Sequence, residues 1–253
     1  MSPIPKNKTP KVPSDLRPIS KTSIFSTIFE SFIYNFLFYD IQDKINPNQF
    51  CLRPNHSTTH CLCYMLDTVF KHLELSSSYV EAVFADISKA FDNLDHQTVT
   101  DNARALGVRD FVLRMVASFL SDREQCVVLP NGDSSDFTSI SCGAPQGTKL
   151  GSLVFLIVFN NVLPNFDNTF KFADELTLLI LCQTPNTLGV KLDSLINNLK
   201  NDLDNVKLNL SIPKSSLMLF SFLKNVPPIN NFLSIPNLNM VKLLSVQLDN
   251  DLK

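Results

Sequence analysis

The pattern of apolar and polar positions divides this 253-residue chain into segments of helical and strand period. Over residues 23–39 the apolar pairs Ile24-Phe25, Ile28-Phe29, Phe32-Ile33 and Phe36-Leu37 recur every four residues. That spacing predicts an amphipathic helix whose apolar face packs into the core. A second helix is expected from residue 59, with Leu62, Leu66, Val69, Phe70 and Leu73 on one face. Residues 110–120 form a third, with Asp110 as its cap. Residues 150–163 are apolar all round and read as a buried helix. Leu188, Leu192, Leu195, Leu199, Leu203 and Val206 recur at three and four and mark a longer one. Between these lie short runs of strand type, at 79–84, 169–181, 216–222 and 241–248. The runs 125–129 and 137–141 flank Asn131-Gly132, a strong hairpin signal. Residues 49–60 read as a polar loop, and an Asn- and Pro-rich loop joins the last two strands. Residues 1–22, rich in Pro and Lys and without period, read as an extended arm.

Two strand signals carry acids where apolar surface surrounds them. Within 169–181, two apolar runs flank Asp174 and Glu175, which predicts a hairpin with the acids at its turn. Asp86 stands at the far end of the 79–84 run. A carboxylate among apolar side chains is costly unless something neutralises it, and hard cations such as Mg²⁺ prefer carboxylate oxygens. If the two strands pair, Asp86 and Asp174 can share a cation although 88 residues separate them in the chain.

Composition narrows the picture only a little. Apolar residues at 44% and charged residues at 18% describe a globular protein. The longest apolar run, 153–159, is far short of the ~20 residues that span a bilayer, so no membrane partner is expected. Six cysteines without a secretory leader imply reduced thiols and an intracellular setting. His56, His60, Cys61 and Cys63 lie close together, but their spacing matches no usual zinc pattern. A net charge of −2 is a weak electrostatic footprint for a nucleic-acid binder. Yet Lys6, Lys8, Lys11, Arg17 and Lys21 crowd the N-terminus, and local basic patches are what hold phosphates.

The motifs carry a further expectation. Residues 86–92, Asp95-His96, the Gly-bearing block 143–151 and Phe172-Ala173-Asp174-Glu175, preceded by blocks at 15–20 and 49–60, resemble the ordered blocks of reverse transcriptases. They are most similar to the non-LTR retrotransposon type, jockey-like and CR1-like. The resemblance implies an α+β fold with the fingers and palm of a right-handed polymerase, an antiparallel palm sheet packed on helices, and a thumb largely missing. Residues 1–78 would be a fingers-like part and 79–253 a palm-like part, with fingers insertions around 97–142 and an end near a primer-grip hairpin. It implies RNA-directed DNA polymerisation by two Mg²⁺ ions, with Mn²⁺ as a substitute. Asp86, Asp174 and Glu175 would be the catalytic acids, and the Ile87 carbonyl a further metal ligand. Arg17 and Lys6 would meet the triphosphate, Phe91 would gate the sugar, and Gln146 and Lys214 would lie at the nucleotide. Arg53, His56 and Gly147 would border the template. The implied partners are an RNA template, a DNA primer, deoxynucleoside triphosphates and other element-encoded domains, and the setting is the nucleus if the chain is active as a retroelement.

Several positions depart from that pattern. Glu175 stands where Asp is usual, Cys51 and Ser245 where Gly is usual, Ser152 for Pro and Asn161 for Asp. Two other function classes therefore stay open from the residues alone. One is a relic that binds RNA or RNA–DNA duplex without extending a primer; the other is a structural or partner-binding remnant.

Overall fold

The computed structural model describes residues 1–6, 9–75, 78–223 and 234–252. Lys8, and residues 224–233 of the Asn- and Pro-rich loop, lie outside them. In chain order the elements are β1 (Ser2–Pro5), β2 (Leu16–Ile19), α1 (Ile24–Ile41), α2 (Thr58–Leu73), β3 (Tyr79–Asp86), α3 (His96–Ala105), α4 (Asp110–Leu120), β4 (Arg123–Gln125), β5 (Thr138–Ile140), α5 (Lys149–Phe159), β6 (Thr169–Phe172), β7 (Glu175–Cys182), α6 (Pro185–Asn205), β8 (Ser216–Phe220), β9 (Met240–Leu243) and β10 (Val246–Asp249). Single 3-10 turns occur at Pro13–Asp15, Gln42–Lys44 and Ile212–Lys214. They gather into two units, residues 1–45 with 89–159 and residues 46–88 with 160–253. Each unit is assembled from two separate stretches of the chain.

The second unit is built on a four-stranded antiparallel sheet in the order β6-β7-β3-β8. β3 is buried on both faces over 79–85, which is why it reads as a continuous apolar run and not as an alternation. Its partners are distant in sequence because a central strand needs two edges, and β7 and β8 supply them. One face of the sheet packs on α2, where Cys61, Leu62, Met65, Val69 and Leu73 meet Val80, Ala82, Phe84, Leu179 and Phe220. Phe70, expected on that face, is instead exposed, and Met65 takes the buried place. Ser57 caps α2 by accepting the His60 N–H. Leu188, Leu192, Leu195, Leu199 and Leu203 of α6 are buried as their spacing predicts. The run at 241–248 is two strands, because Leu244 (φ 48°) and Ser245 (φ 71°) turn the chain between β9 and β10. Positive φ at both central residues is the geometry that favours Asn-Gly, so Ser245 occupies a place where Gly would be relaxed.

In the first unit the expected arm is a two-stranded ribbon, β1 against β2, with Arg17 opposite Ile4. Pro3, Pro5 and Pro18 are tolerated because a two-stranded ribbon is all edge. α5 is buried on every side from Leu150 to Phe159, apart from the partly buried Ser152, and ends four residues earlier than its apolar run predicts. Gly151 lies against the Pro145 carbonyl, where a Cβ would collide with backbone. Thr148 Oγ1 accepts the Gly151 N–H at 3.0 Å and so serves an N–H of the first turn. Asp110 is not the cap of α4. Arg109 holds that position and Asp110 is the first helical residue, where its charge still favours the helix N-terminus. The Asn131-Gly132 turn is present, with Gly132 at φ 95°, and β4 and β5 pair beyond it. α1 departs most from expectation. Its buried residues are Glu30, Ile33, Leu37 and Ile41, whereas Ile24, Phe25, Ile28, Phe29, Phe32, Phe36 and Tyr39 are exposed. Two adjacent apolar columns ran along the sequence, and the unit's own core takes only one of them.

Two charged groups inside the second unit oppose each other in pH. Glu81, in the middle of β3, is fully buried and neither carboxyl oxygen has a hydrogen-bond partner. Burial pushes its pKa up to about 8 from an ordinary 4.5. Lys171, in β6, is also fully buried, and burial lowers its pKa to about 7 from 10.5. Its ammonium donates to the carbonyls of Val162 and Asn160.

Two predictions follow from these environments. Between pH 4.5 and 8 the fold keeps a proton on Glu81 that the unfolded chain has released, so stability falls as pH rises. Between pH 7 and 10.5 the unfolded chain holds the extra proton on Lys171, so stability rises again. The midpoint of thermal unfolding should therefore dip near neutral pH. Glu81→Gln should stabilise the fold at pH 7 by roughly 3 kcal/mol at most and raise the midpoint accordingly, with the gain vanishing towards pH 4.5. A gain that persists unchanged at low pH would contradict a buried, proton-retaining Glu81. Independently, Gly151→Ala should destabilise the chain by about 1–3 kcal/mol in denaturant titration, the usual penalty of overpacking.

Candidate active site

Three carboxylates meet at one end of the sheet in the second unit. In the antiparallel register of β3 with β7, Asp86 stands opposite Glu175. The link between β6 and β7 is only Ala173-Asp174, since Phe172 pairs with Glu175. Glu175 is thus the first residue of β7, not part of the turn. Ala173 takes φ 54° to close the link, an uncommon conformation for a residue with a Cβ. Burial raises the pKa of Glu175, and the neighbouring charges of Asp174 and Asp86 raise it further, against a hydrogen bond from the Leu244 N–H to Oε2 at 3.3 Å. Glu175 therefore lies within electrostatic reach of both aspartates.

The backbone around Asp86 is fixed on both sides. Its N–H donates to Ser215 Oγ at 3.2 Å and its carbonyl accepts the Ser211 N–H at 2.8 Å. Ile87 is buried and bridges to Leu210. Oδ2 of Asp86 is buried without a hydrogen bond. The Lys214 ammonium stands 3.5 Å from it, an ion pair too long to count as a hydrogen bond. Cys51 adjoins the Ala173-Asp174 link, and burial raises its thiol pKa. Among the described residues no group of three or more His, Cys, Asp or Glu forms a ready-made metal cluster. A divalent cation nevertheless fits the chemistry of Asp86 and Asp174, because positive charge would relieve the buried Oδ2 of Asp86 and the like charges that both aspartates bring to Glu175.

The nucleotide candidates of the first unit lie on a second set of elements. Phe91 is half-buried and stacks on Phe155 of α5, centroids 4.8 Å apart. Gln146 donates from Nε2 to Asp92 Oδ1 at 2.9 Å, and its carbonyl accepts the Ser20 N–H, which ties the Gly-bearing block to the end of β2. Gly143 holds that block against 91–94, where its N–H reaches the Leu94 carbonyl at 2.7 Å and a Cβ would lie 2.8 Å from the Asp92 carbonyl oxygen. Gly147 has φ 93° and abuts Ile19. Arg17, on β2, is exposed, as is Lys6, whose N–H bonds to the Asp15 carbonyl.

The template candidates sit in the loop before α2. Arg53 spends one guanidinium nitrogen on the Pro47 carbonyl at 2.8 Å, so it braces its own loop. His56 is exposed, with Nδ1 at 2.9 Å from the Pro54 carbonyl and its ring 5.7 Å from Phe50. Burial lifts the Cys61 thiol to about 12. Ser211, Ser215 and the Leu244 amide are positioning groups that the sequence does not mark. Main-chain donors have no signature, and serines in loops are common.

Comparison with known proteins agrees with this arrangement. The family model described as reverse transcriptase (RNA-dependent DNA polymerase) matches residues 4–248. The RNA-directed DNA polymerase from mobile element jockey of Drosophila melanogaster is 30% identical over 178 residues, 68% of this chain and 19% of the relative. The Pol polyprotein of the type-2 retrotransposable element R2DM, also from Drosophila melanogaster, is 29% identical over 212 residues, 77% of this chain and 19% of the relative. The chain thus spans about a fifth of the length of these relatives. Among solved structures, apo telomerase from Candida tropicalis, truncated from its C-terminal domain, superposes with a TM-score of 0.60 at 12% identity, covering 92% of this chain and 50% of that one. Telomerase from Candida albicans, solved with a TWJ fragment of telomeric RNA, gives 0.57 at 11% identity, covering 90% and 37%. At such identity these two speak for the fold alone, an α+β fingers and palm. With the acids at the sheet end, the ordered blocks and a family match over nearly its whole length, the chain belongs to the reverse transcriptases, among those of non-LTR retrotransposons.

Proposed function

We propose that this chain is the polymerising core of an RNA-directed DNA polymerase, which adds deoxynucleotides to a primer 3′-hydroxyl on an RNA template. The observation that carries the reading is the register that sets Asp86 opposite Glu175, one residue from the Asp174 turn. Reverse transcriptases generally use divalent metals. In this chain Asp86 and Asp174 would hold Mg²⁺, with the Ile87 carbonyl beside them. When bound, the ions supply charge neutralisation and a lowered pKa at the primer hydroxyl. The chain's own part is positioning. Ser211 and Ser215 fix the Asp86 backbone, and the Leu244 amide restrains Glu175. Lys214 offers positive charge beside Asp86 for a phosphate oxygen. Arg17 and Lys6 are proposed for the triphosphate, Phe91 for excluding a 2′-hydroxyl, Gln146 for the nucleotide, and Arg53, His56 and Gly147 for the template side.

A second reading has one observation in its favour. The Lys214 ammonium already stands at Asp86, and Glu175 carries a methylene more than the usual Asp. In that reading the chain binds RNA or RNA–DNA duplex without extending a primer.

Primer extension on an RNA template with Mg²⁺ separates the two. The polymerase reading expects extension by the wild-type chain and its loss below detection in Asp86→Ala and Asp174→Ala, with duplex binding retained. Equal extension by both variants would refute the assignment, and salt-dependent binding without any wild-type extension would support the second reading. Glu175→Asp should increase the extension rate, within the ~10²-fold that a 1 Å misplacement commands.

A further inference from the structure

We propose that the exposed stripe of α1 is a homodimer interface, on which a second copy of this chain docks helix against helix about a two-fold axis. The stripe is formed by Ile24, Phe25, Ile28, Phe29, Phe32, Phe36 and Tyr39. Phe25 is 85% exposed, Tyr39 70% and Phe32 59%, values that a helix buried in its own core does not show. Seven large side chains with this exposure present on the order of 800 Å² of apolar surface. The largest patch on a typical monomer is about 300–600 Å², whereas a standard interface buries ~800 Å² on each partner.

The chemistry of the stripe selects the occupant. α1 carries only two formal charges, Glu30 and Asp40. Glu30 is buried, and Asp40 is engaged by Arg109 at 2.9 Å. The cations beside the helix, Arg109, Arg114 and Arg123, come from α4 and its flanks, and two of them already face an acid of α1, Arg109 at Asp40 and Arg123 near Glu30. An uncharged apolar row at three- and four-residue spacing is complementary to a copy of itself, since the ridges of one helix fit the grooves of the other. A two-fold pairing needs that self-complementarity and closes after two copies.

The surface is also rigid where it is most aromatic. The Arg109 guanidinium, held by Asp40, lies 5.9 Å from the ring centroids of Phe36 and Tyr39 and 4.9 Å from that of Phe111. That clamp fixes one end of the stripe before any partner arrives, which lowers the ordering cost of association. Beside it, α1, α4 and Arg123 line a groove of about 660 Å³ with Phe29, Phe111 and Phe119 on its walls. The groove gives an incoming apolar side chain depth as well as area.

The test is sedimentation equilibrium of the 253-residue chain from low to high micromolar concentration. The expected result is a reversible monomer–dimer equilibrium. Phe25→Ser with Phe32→Ser should weaken it at least ~100-fold, because two apolar side chains leave the interface. Both positions are largely exposed, so at a concentration where both chains are monomeric the thermal midpoint of the double variant should match the wild type and separate lost association from lost folding. Val190→Ser, at a 71% exposed position on α6, should leave the dimer unchanged. A wild-type chain that stays monomeric throughout the range overturns the proposal, as does a dimer indifferent to the double variant or an assembly that grows past two copies. None of these substitutions touches the residues proposed for catalysis, so this outcome and that of primer extension are read separately.

Discussion

The pairing register of β3 is the constraint on which the rest of the structure depends. β3 lies between β7 and β8, buried on both faces, and its last residue is Asp86. A shift of one residue against β7 would turn Val80, Ala82 and Phe84 away from α2 and carry Glu81 towards it. The core therefore forbids the slip, and the acids inherit their places from it. No contact between Asp86 and Asp174 is needed to bring them together; the sheet does so through side chains that have no part in chemistry. The two-residue Ala173-Asp174 link completes the geometry, at the cost of a left-handed Ala173.

That same core holds two ionisable groups whose charged forms burial disfavours. Glu81 has no hydrogen-bond partner for either oxygen, and the Lys171 ammonium donates to the carbonyls of Val162 and Asn160. A protein of this size is stabilised by only about 5–15 kcal/mol, and a single buried ionisable group can account for several of those. The second unit therefore rests on a narrow margin near neutral pH. The departures from the family pattern belong to the same picture. Ser245 sits at a positive φ that Gly would adopt freely, and Cys51 lies against the turn that presents Asp174.

Much of this was legible before any coordinates. The long leucine period of α6, the apolar α5, the Asn131-Gly132 turn and the two acidic strand ends are local signals, and each is strong enough to survive packing. What could not be read depends on choices made between elements. α1 offers two neighbouring apolar columns, and nothing in its own residues says that the column of Ile33, Leu37 and Ile41 goes inward while the phenylalanines stay out. The division into units was hidden for a similar reason, because the identity of β3's neighbours is a long-range matter. The resemblance places Arg53 at the template, and no spacing announces that one of its guanidinium nitrogens meets the Pro47 carbonyl. Glu81 is the one signal that was present and passed over, a lone acid inside an apolar strand.

The central place of β3 also bears on how the chain comes to be folded. Its residues leave the ribosome long before those of β7 at 175–182 and β8 at 216–220 exist. At about 5–20 residues per second, roughly 90 residues of synthesis separate β3 from its first partner, so the strand waits for several seconds with both edges open. An apolar strand with unpaired edges is a template for aggregation. During that interval α2, already synthesised, can cover one apolar face of β3, while both of its edges stay open. Translation speed across residues 87–174 thus becomes a determinant of how many chains reach the native state.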